Sequence, residues 1–419
     1  MTETLQAAPT GGVKDVVIVG SGHGGVELAA ALRQRGFAGS ITIVGDEPNL
    51  PYQRPPLSKE FLKGPEDSGL PLKGESFYRD NAIALQLGIP AEQIDRKARR
   101  LFLKDGQSLP YDHLVLATGA RNRIPPIPGL EHAAMLELRT LADARRLHAR
   151  LDRLRHVTVI GGGVVGLEVA ALMRARDIAV DVVEATPTLM GRMLSRPMSA
   201  HFRSFHESLG TSLHFETLVR SVQRTAQDWE VHLSSDQILR TSAIVVAAGV
   251  APNTKLAAQA GLAIDNGIVT NDRLVTGDPA ISAIGDCAAF PNAFTGAMAR
   301  LESVQNAVDQ AKHVAARLTG EHGFYRAVPW FWSNQGAHRL QIAGLGQGHD
   351  AVVTRGDTAA GKFSLFLYRG DKLVAVESVN NAADHMLARR LFEKGQSVPE
   401  TVAADTSVDL KGLLRANSE

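Results

Sequence analysis

Twice along this chain a short β-branched run flows into a glycine-rich turn, a helix-forming stretch and a second strand that ends on an acid. That repeat narrows the fold more than any other feature, because each copy has the order of a dinucleotide-binding unit. In the first, "DVVIVG" from Asp15 to Gly20 is the kind of run that makes a buried parallel strand, and it continues as "GSGHGGVELAAALRQRG". Gly20, Gly22 and Gly25 fit G-x-G-x-x-G: the first allows a tight turn, the second lets a pyrophosphate approach the backbone, and the third lets the helix pack close. The helix N-terminus then faces the phosphates. A second strand, "SITIVGDE", ends in Asp46, 21 residues beyond Gly25, where a carboxylate is expected at an adenosine ribose.

The pattern recurs 141 residues later as "HVTVIGGGVVGLEVAALMRARDIAVDVVEA", with Gly161, Gly163 and Gly166 in the turn and Glu184 at the strand end. Glu184 can bind both hydroxyls of an unphosphorylated ribose and would repel a 2′-phosphate, and Ala185 and Thr186 beside it supply no cation, so NADH is favoured over NADPH. Two matching segments, "YDHLVLATGARNR" at Tyr111 to Arg123 and "TSAIVVAAGVAPN" at Thr241 to Asn253, each read as a buried strand closing on a small-residue turn. They are expected to carry the chain out of the first domain and back, with the second domain built as an insertion. A further strand, "ISAIGDCAAF", ends in Gly285-Asp286, and an aspartate at the carboxyl end of a central parallel strand lies where ligands bind in such sheets.

The chain has 419 residues, 44% of them hydrophobic, enough for roughly two to four domains with proper cores. Its 45 basic and 44 acidic side chains leave a net charge of +1, which gives no bulk field to recruit nucleic acid or an anionic membrane. The longest apolar run, Ala243 to Ala251 with Gly249 counted, is far short of the ~20 residues that span a bilayer. The opening "MTETLQAAPTGG" lacks a basic region followed by an apolar block, so it reads as a flexible lead-in, and a cytoplasmic address is expected. Cys287 is the one cysteine, which rules out an internal disulfide and any iron-sulfur cluster held by four cysteines of this chain. The histidines show no metal-ligand spacing, and no metal is expected. One stretch resists assignment on these grounds alone: "RPPLSKEFLKG", from Arg54 to Gly64, in which paired prolines are expected to hold an extended leader that aims Lys59.

Taken in order, the two glycine motifs with "PYQRPPLSK", "LATGARNR", "GLEVA", "ISAIGDCA", "RLESVQNAVDQA", "VPWFWSNQ" and "VESVN" give the chain its family likeness. It resembles, over nearly its whole length, the FAD-dependent NADH:ferredoxin reductases of the rhodocoxin reductase and putidaredoxin reductase group. The resemblance implies an α/β protein with two Rossmann-like domains of the glutathione-reductase kind and a smaller α+β C-terminal domain. The implied limits are residues 1–120 and 244–325 for FAD, 121–243 for NAD, and 326–419 for a cap over the flavin. Within the cap, "KFSLFLYRGDKLVAVESVN" reads as two strands around a Gly-Asp turn and "AADHMLARRLFEKG" as an amphipathic helix.

By the same resemblance, Lys59 lies beside the hydride-accepting edge of the flavin, paired with Glu168, and helps align the nicotinamide. Arg54 contacts FAD; Thr118, Gly119 and Arg121 line it, and Asp286 holds its ribityl chain. Ser303 and Val304 begin a helix whose positive end points at the flavin's pyrimidine ring, where it stabilises the anion formed on reduction. Trp332 lies against the flavin on the face away from NADH, while Trp330 packs. Gly45 stands where many relatives place the ribose acid, so Asp46 can miss the hydroxyls. Arg300, with Arg339 second, is the expected docking cation for an acidic two-iron two-sulfur ferredoxin, which would feed a haem monooxygenase or a ring-hydroxylating oxygenase.

Two rival readings stay open. The acceptor can instead be a quinone, a rubredoxin or a small organic radical, or the protein can be a non-catalytic redox-sensing flavoprotein of the apoptosis-inducing-factor type. Disulfide reductases of this shape need a cysteine pair beside the flavin, and peroxidase or water-forming oxidase relatives need a redox cysteine between Glu47 and Lys59. Cys287 supplies neither and reads as a small buried filler.

Overall fold

Strand Asp15–Val19 is buried on both faces, which is why it reads as an unbroken β-branched run: Val16 and Ile18 enter one apolar cluster, Val17 and Val19 another. The structure, a computed structural model, describes residues 12–64, 69–130, 135–410 and 412. All but Gly12 of the expected lead-in lies outside them. The described parts of Met1–Gln53, Ser68–Arg121 and Pro252–Ala327 form one compact unit, and those of Arg54–Asp67, Asn122–Ala251 and Val328–Glu419 form a second.

In the first unit Asp15–Val19 is the centre of a parallel sheet, with Ser40–Gly45 and then Ile83–Leu87 on one side and His113–Leu116 and then Ile281–Ala283 on the other. Helices His23–Gln34 and Val304–Leu318 cover one face through Leu28, Leu32, Ala311 and Val314. Leu101, Leu103, Leu262 and Cys287 cover the other. Each fully buried Val, Leu or Ile here contributes about 1.5–3 kcal/mol.

The second unit repeats the plan around His156–Ile160, flanked in parallel by Ala179–Val183 and Ser212–His214 on one side and Ala243–Val246 and Met135–Leu136 on the other. The pairing of Val157 with Ala243 and of Ile160 with Val246 corrects the implied return of the chain at residue 244. That strand completes the second sheet, and the chain re-enters the first unit only at Pro252.

Residues from Val328 on also belong to this second unit. They form an antiparallel sheet in the order Trp330–Gln335, His338–Gly344, Lys372–Val379, Lys362–Arg369, Ala351–Asp357. The last hairpin turns at Gly370, with φ +53°, and helix Ala382–Glu393 follows, as the pattern predicts. One face of the sheet packs Phe366, Tyr368 and Val376 against Leu387 and Leu391 of that helix. The other packs Leu340, Phe363 and Leu365 against Met198, Phe202 and Leu167, so the C-terminal sheet and the second nucleotide unit share one core.

Candidate active site

Both glycine turns have the geometry that a bound pyrophosphate requires. Gly20 has φ +122°, and a Cβ there would lie 2.0 Å from the Ala117 carbonyl oxygen; a Cβ on Gly25 would lie 2.0 Å from that of Gly20. Neither position tolerates a side chain. Gly22 caps helix His23–Gln34 with no side-chain hydrogen bond, and among the described residues no atom beyond its chain neighbours lies within 4 Å of where its Cβ would be. Open room therefore stands before a helix N-terminus, whose first N–H groups have no partner within the helix itself, and this suits a diphosphate. Thus the first turn fits the diphosphate of FAD.

The strand ends around that turn carry the expected lining residues. Thr118 Oγ1 donates to the Asn253 carbonyl oxygen at 2.7 Å, Asn253 Nδ2 donates to that of Thr118 at 2.9 Å, and Gly119 has φ +64°. The exposed Arg121 donates to the Pro252 carbonyl at 3.1 Å and to Asn253 Oδ1 at 3.2 Å. Asn253 thus ties together three residues that the sequence singles out, a role that the sequence alone does not disclose. Asp286 sits in the single helical turn Gly285–Cys287, fixed by Gln310, whose Oε1 accepts from the Gly285 N–H at 2.7 Å. Ser303 caps helix Val304–Leu318, its Oγ accepting from the Asn306 N–H at 3.0 Å.

One expectation in this unit changes, at Arg300, and those for Gly45 and Cys287 acquire a physical reason. Asp46 is exposed one residue past the strand, and Gly45 is a glycine because a Cβ there would lie 2.5 Å from Ser21 Oγ. Arg300 is not an open docking cation: its side chain is only 7% exposed, pairs with Glu302 at 2.7 Å and donates to the Asp286 carbonyl at 3.1 Å. Cys287 is fully buried, its Sγ turned to the Ile284 and Leu116 carbonyls, and burial pushes its thiol pKa up, which makes it a filler.

In the second unit Gly161 and Gly166 repeat the close approaches, with φ +110° at Gly161 and a Gly166 Cβ position 2.3 Å from the Gly161 carbonyl oxygen. Gly163 is again the open position. Glu184 is aimed at this turn: one oxygen accepts from the Gly162 N–H at 2.7 Å, the other from the Thr186 N–H and hydroxyl at 2.8 and 2.7 Å. A carboxylate has about four acceptor sites and three are taken, so capacity for one ribose hydroxyl remains beside these bonds.

Lys59 and Glu168 meet in the same unit. Glu168 lies five positions beyond Gly163 on helix Val164–Arg174, which places it about 7 Å along the axis from the helix entrance. The leader to Lys59 differs from expectation: Pro55–Ser58 is a short 3-10 turn rather than an extended segment. Proline's fixed φ suits that turn, and its missing N–H falls where a first turn needs none. Lys59 Nζ donates to the Pro55 carbonyl at 3.2 Å and pairs with Glu168 at 2.7 Å; the two side chains are 15% and 3% exposed. Ser58 Oγ donates to the same Glu168 oxygen at 2.5 Å and Ser333 Oγ to the other at 2.7 Å. Arg54, expected at FAD, donates from its guanidinium to the Arg139 carbonyl at 2.6 Å.

Strand Trp330–Gln335 brings Ser333 to that carboxylate. Trp332 alternates to the opposite face, where its ring lies 5.4 Å from that of Trp330, and Trp330 in turn packs against His385 and Arg389. Arg339, on the next strand, is exposed.

Two dinucleotide turns, one with its own charged pair beside it, define a two-nucleotide oxidoreductase. The chain belongs to the pyridine nucleotide-disulphide oxidoreductase family, which it matches over residues 14–311, and residues 330–414 match the family described as reductase C-terminal. It is similar to rhodocoxin reductase of Rhodococcus erythropolis, 46% identical over 398 residues that cover 94% of this chain and 93% of that protein. Among solved structures it is similar to the ferredoxin reductase for the CYP199A2 system from Rhodopseudomonas palustris, with a TM-score of 0.93 and 44% identity over 96% of this chain and 100% of that one. The reductase in the covalent putidaredoxin reductase-putidaredoxin complex is similar as well, with a TM-score of 0.92, 35% identity, and coverage of 97% and 100%. The family works with FAD and a nicotinamide nucleotide. Among the described residues no helix is long and apolar enough to cross a membrane.

Proposed function

We propose that this protein is an NADH-dependent ferredoxin reductase that supplies a haem monooxygenase or a ring-hydroxylating oxygenase through a two-iron two-sulfur ferredoxin. FAD, when bound, takes two electrons as a hydride and gives them up singly. The turn at Gly20, Gly22 and Gly25 holds its diphosphate, with Thr118, Gly119, Arg121, Asp286 and the Ser303–Val304 helix end as its further contacts. The turn at Gly161, Gly163 and Gly166 holds that of NADH, and Glu184 accepts from a ribose hydroxyl. Trp332, on the C-terminal sheet, is the aromatic side chain proposed for the flavin. NADH is regenerated in the cytoplasm, and that is the setting this reading implies.

The observation that carries this reading is the pairing of half-buried Lys59 with buried Glu168, one turn and a half into the helix that the second glycine turn begins. A fixed cation with its counter-ion costs little reorganisation, so it can orient the carboxamide end of a bound nicotinamide before hydride leaves. Because the chain's only cysteine is inert, the electrons have no sulfur relay within it and must pass to an external acceptor. Exposed Arg339 presents a positive charge to that acceptor.

Anaerobic stopped-flow mixing tests the reading. NADH should bleach the yellow holoenzyme within the dead time to seconds, and a two-iron ferredoxin should restore the colour faster than rubredoxin, quinone or dye at equal concentration. Slow bleaching, or a faster response to quinone or rubredoxin, would overturn it.

A further inference from the structure

A one-directional set of hydrogen bonds ends on Glu168. Ser333 is fully buried, and its hydroxyl has one hydrogen, which goes to Glu168 Oε1 at 2.7 Å. It must then accept from Gln335, whose Nε2 lies 3.2 Å away and also faces the weakly accepting sulfur of Met190, at 3.5 Å. With its nitrogen so committed, Gln335 turns Oε1 to His206 Nε2, at 2.9 Å. His206 is fully buried and burial lowers its imidazole pKa, while its Nδ1 has no hydrogen-bond partner among the described residues. One ring proton is therefore assigned, and it sits on Nε2. Every hydrogen from His206 to Ser333 points toward the carboxylate, so the series is a clamp and not a route for protons.

We propose that Ser333 is a positioning residue for the Lys59–Glu168 pair, with Gln335 and His206 holding its hydroxyl hydrogen on Glu168. Ser58 secures one carboxylate oxygen from the Lys59 side, and Ser333 secures the other from the C-terminal sheet. Because side chains alternate along Trp330–Gln335, the strand that presents Trp332 on one face fixes Glu168 with the other. The clamp is a statement about Lys59 and Glu168 themselves; its consequence for hydride transfer rests on the role proposed for that pair above.

The test uses holoenzyme and its Ser333→Ala, Ser333→Thr and Gln335→Leu variants. Lys59 acetylation by limiting acetic anhydride is followed by peptide mass spectrometry, with exposed Lys63 as internal reference, beside the rate of flavin reduction by NADH. Ser333→Ala should raise Lys59 labelling relative to Lys63 several-fold, Gln335→Leu should raise it less, and Ser333→Thr, which keeps a hydroxyl, should return it to the wild-type value. Should Ser333→Ala fail to fold, the comparison of Gln335→Leu with wild type carries the same test. Labelling that does not respond overturns the clamp. Labelling that responds without a change in reduction rate supports the clamp and removes instead the nicotinamide-orienting role of the pair.

Discussion

Lys59 and Glu168 are separated by 109 residues in sequence, yet the ammonium and the carboxylate meet at 2.7 Å with almost no solvent on the acid. Neither residue belongs to the first glycine turn, so removing the cation should separate two properties. Lys59→Ala is expected to slow flavin reduction by NADH about 100-fold, the usual cost of a misplaced reactant. FAD content, read from the ratio of visible to ultraviolet absorbance, should match wild type. A variant that purifies colourless, or one reduced at the wild-type rate, would contradict the assignment.

The two kinds of glycine in each turn predict opposite phenotypes. At Gly25 an added methyl meets the Gly20 carbonyl oxygen, so Gly25→Ala should lower the melting temperature markedly or prevent folding. At Gly22 a methyl meets no protein atom, so Gly22→Ala should fold with a near-normal melting temperature and lose FAD, because the methyl stands in the diphosphate's room. Gly163→Ala should keep FAD and lose NADH affinity, measured by titration under anaerobic conditions.

These glycines were legible because their constraints are local: a strand, a turn and a helix contiguous in sequence leave little freedom in where a Cβ can go. The two buried parallel strands were legible for the same reason, as runs covered on both faces. Lys59 and Glu168 are far apart in sequence, and only the family likeness joined them; Ser58, Ser333, Gln335 and Asn253 went unassigned because hydroxyls and amides at such distances leave no periodic mark. "RPP" misled because proline's φ suits both an extended leader and the 3-10 turn that Pro55–Ser58 adopts, and sequence does not choose between them. Arg300 misled for another reason: its partner Glu302 stands two residues away, but the burial that removes it from the surface comes from the fold.

Glu184 should set the choice of nucleotide. Loss of a charged hydrogen bond to the ribose costs roughly 1.5–3 kcal/mol, so Glu184→Ala should weaken NADH binding about 10- to 100-fold. The repulsion of a 2′-phosphate by the carboxylate, about 4 kcal/mol at contact in a partly screened site, disappears at the same time, and NADPH turnover should rise in absolute terms. The ratio of kcat/KM for the two nucleotides decides the matter. An unchanged ratio would mean that Glu184 serves only the Gly162 and Thr186 N–H groups it already holds.

If Arg339 contributes to docking, Arg339→Glu should raise the KM for an acidic ferredoxin and leave the rate with a small neutral dye as it was. The difference between variant and wild type should shrink as salt is added, since exposed charges are screened. A salt-independent effect would point to a change in folding instead.

Glu377 offers a prediction about stability that is independent of the redox site. Its carboxyl is buried in strand Lys372–Val379 and accepts from the Ser195 N–H at 2.7 Å and the Ser195 hydroxyl at 2.6 Å. Burial pushes its pKa up, from 4.5 to about 7, against the lowering effect of those hydrogen bonds and of His349. An acid whose pKa is higher folded than unfolded binds its proton more tightly in the native state, so its contribution is fully present below pH 4.5 and is lost as pH rises through about 7. Glu377→Gln keeps the shape and an acceptor for the Ser195 N–H but carries no charge to bury. Relative to wild type it should gain on the order of 2–3 kcal/mol at pH 8, a rise of several degrees in melting temperature, and gain almost nothing at pH 4.5. Thermal melts of both proteins across that range would show the gap opening with pH; a gap of constant size, or one that opens toward acid, would mean that the carboxyl is not what titrates.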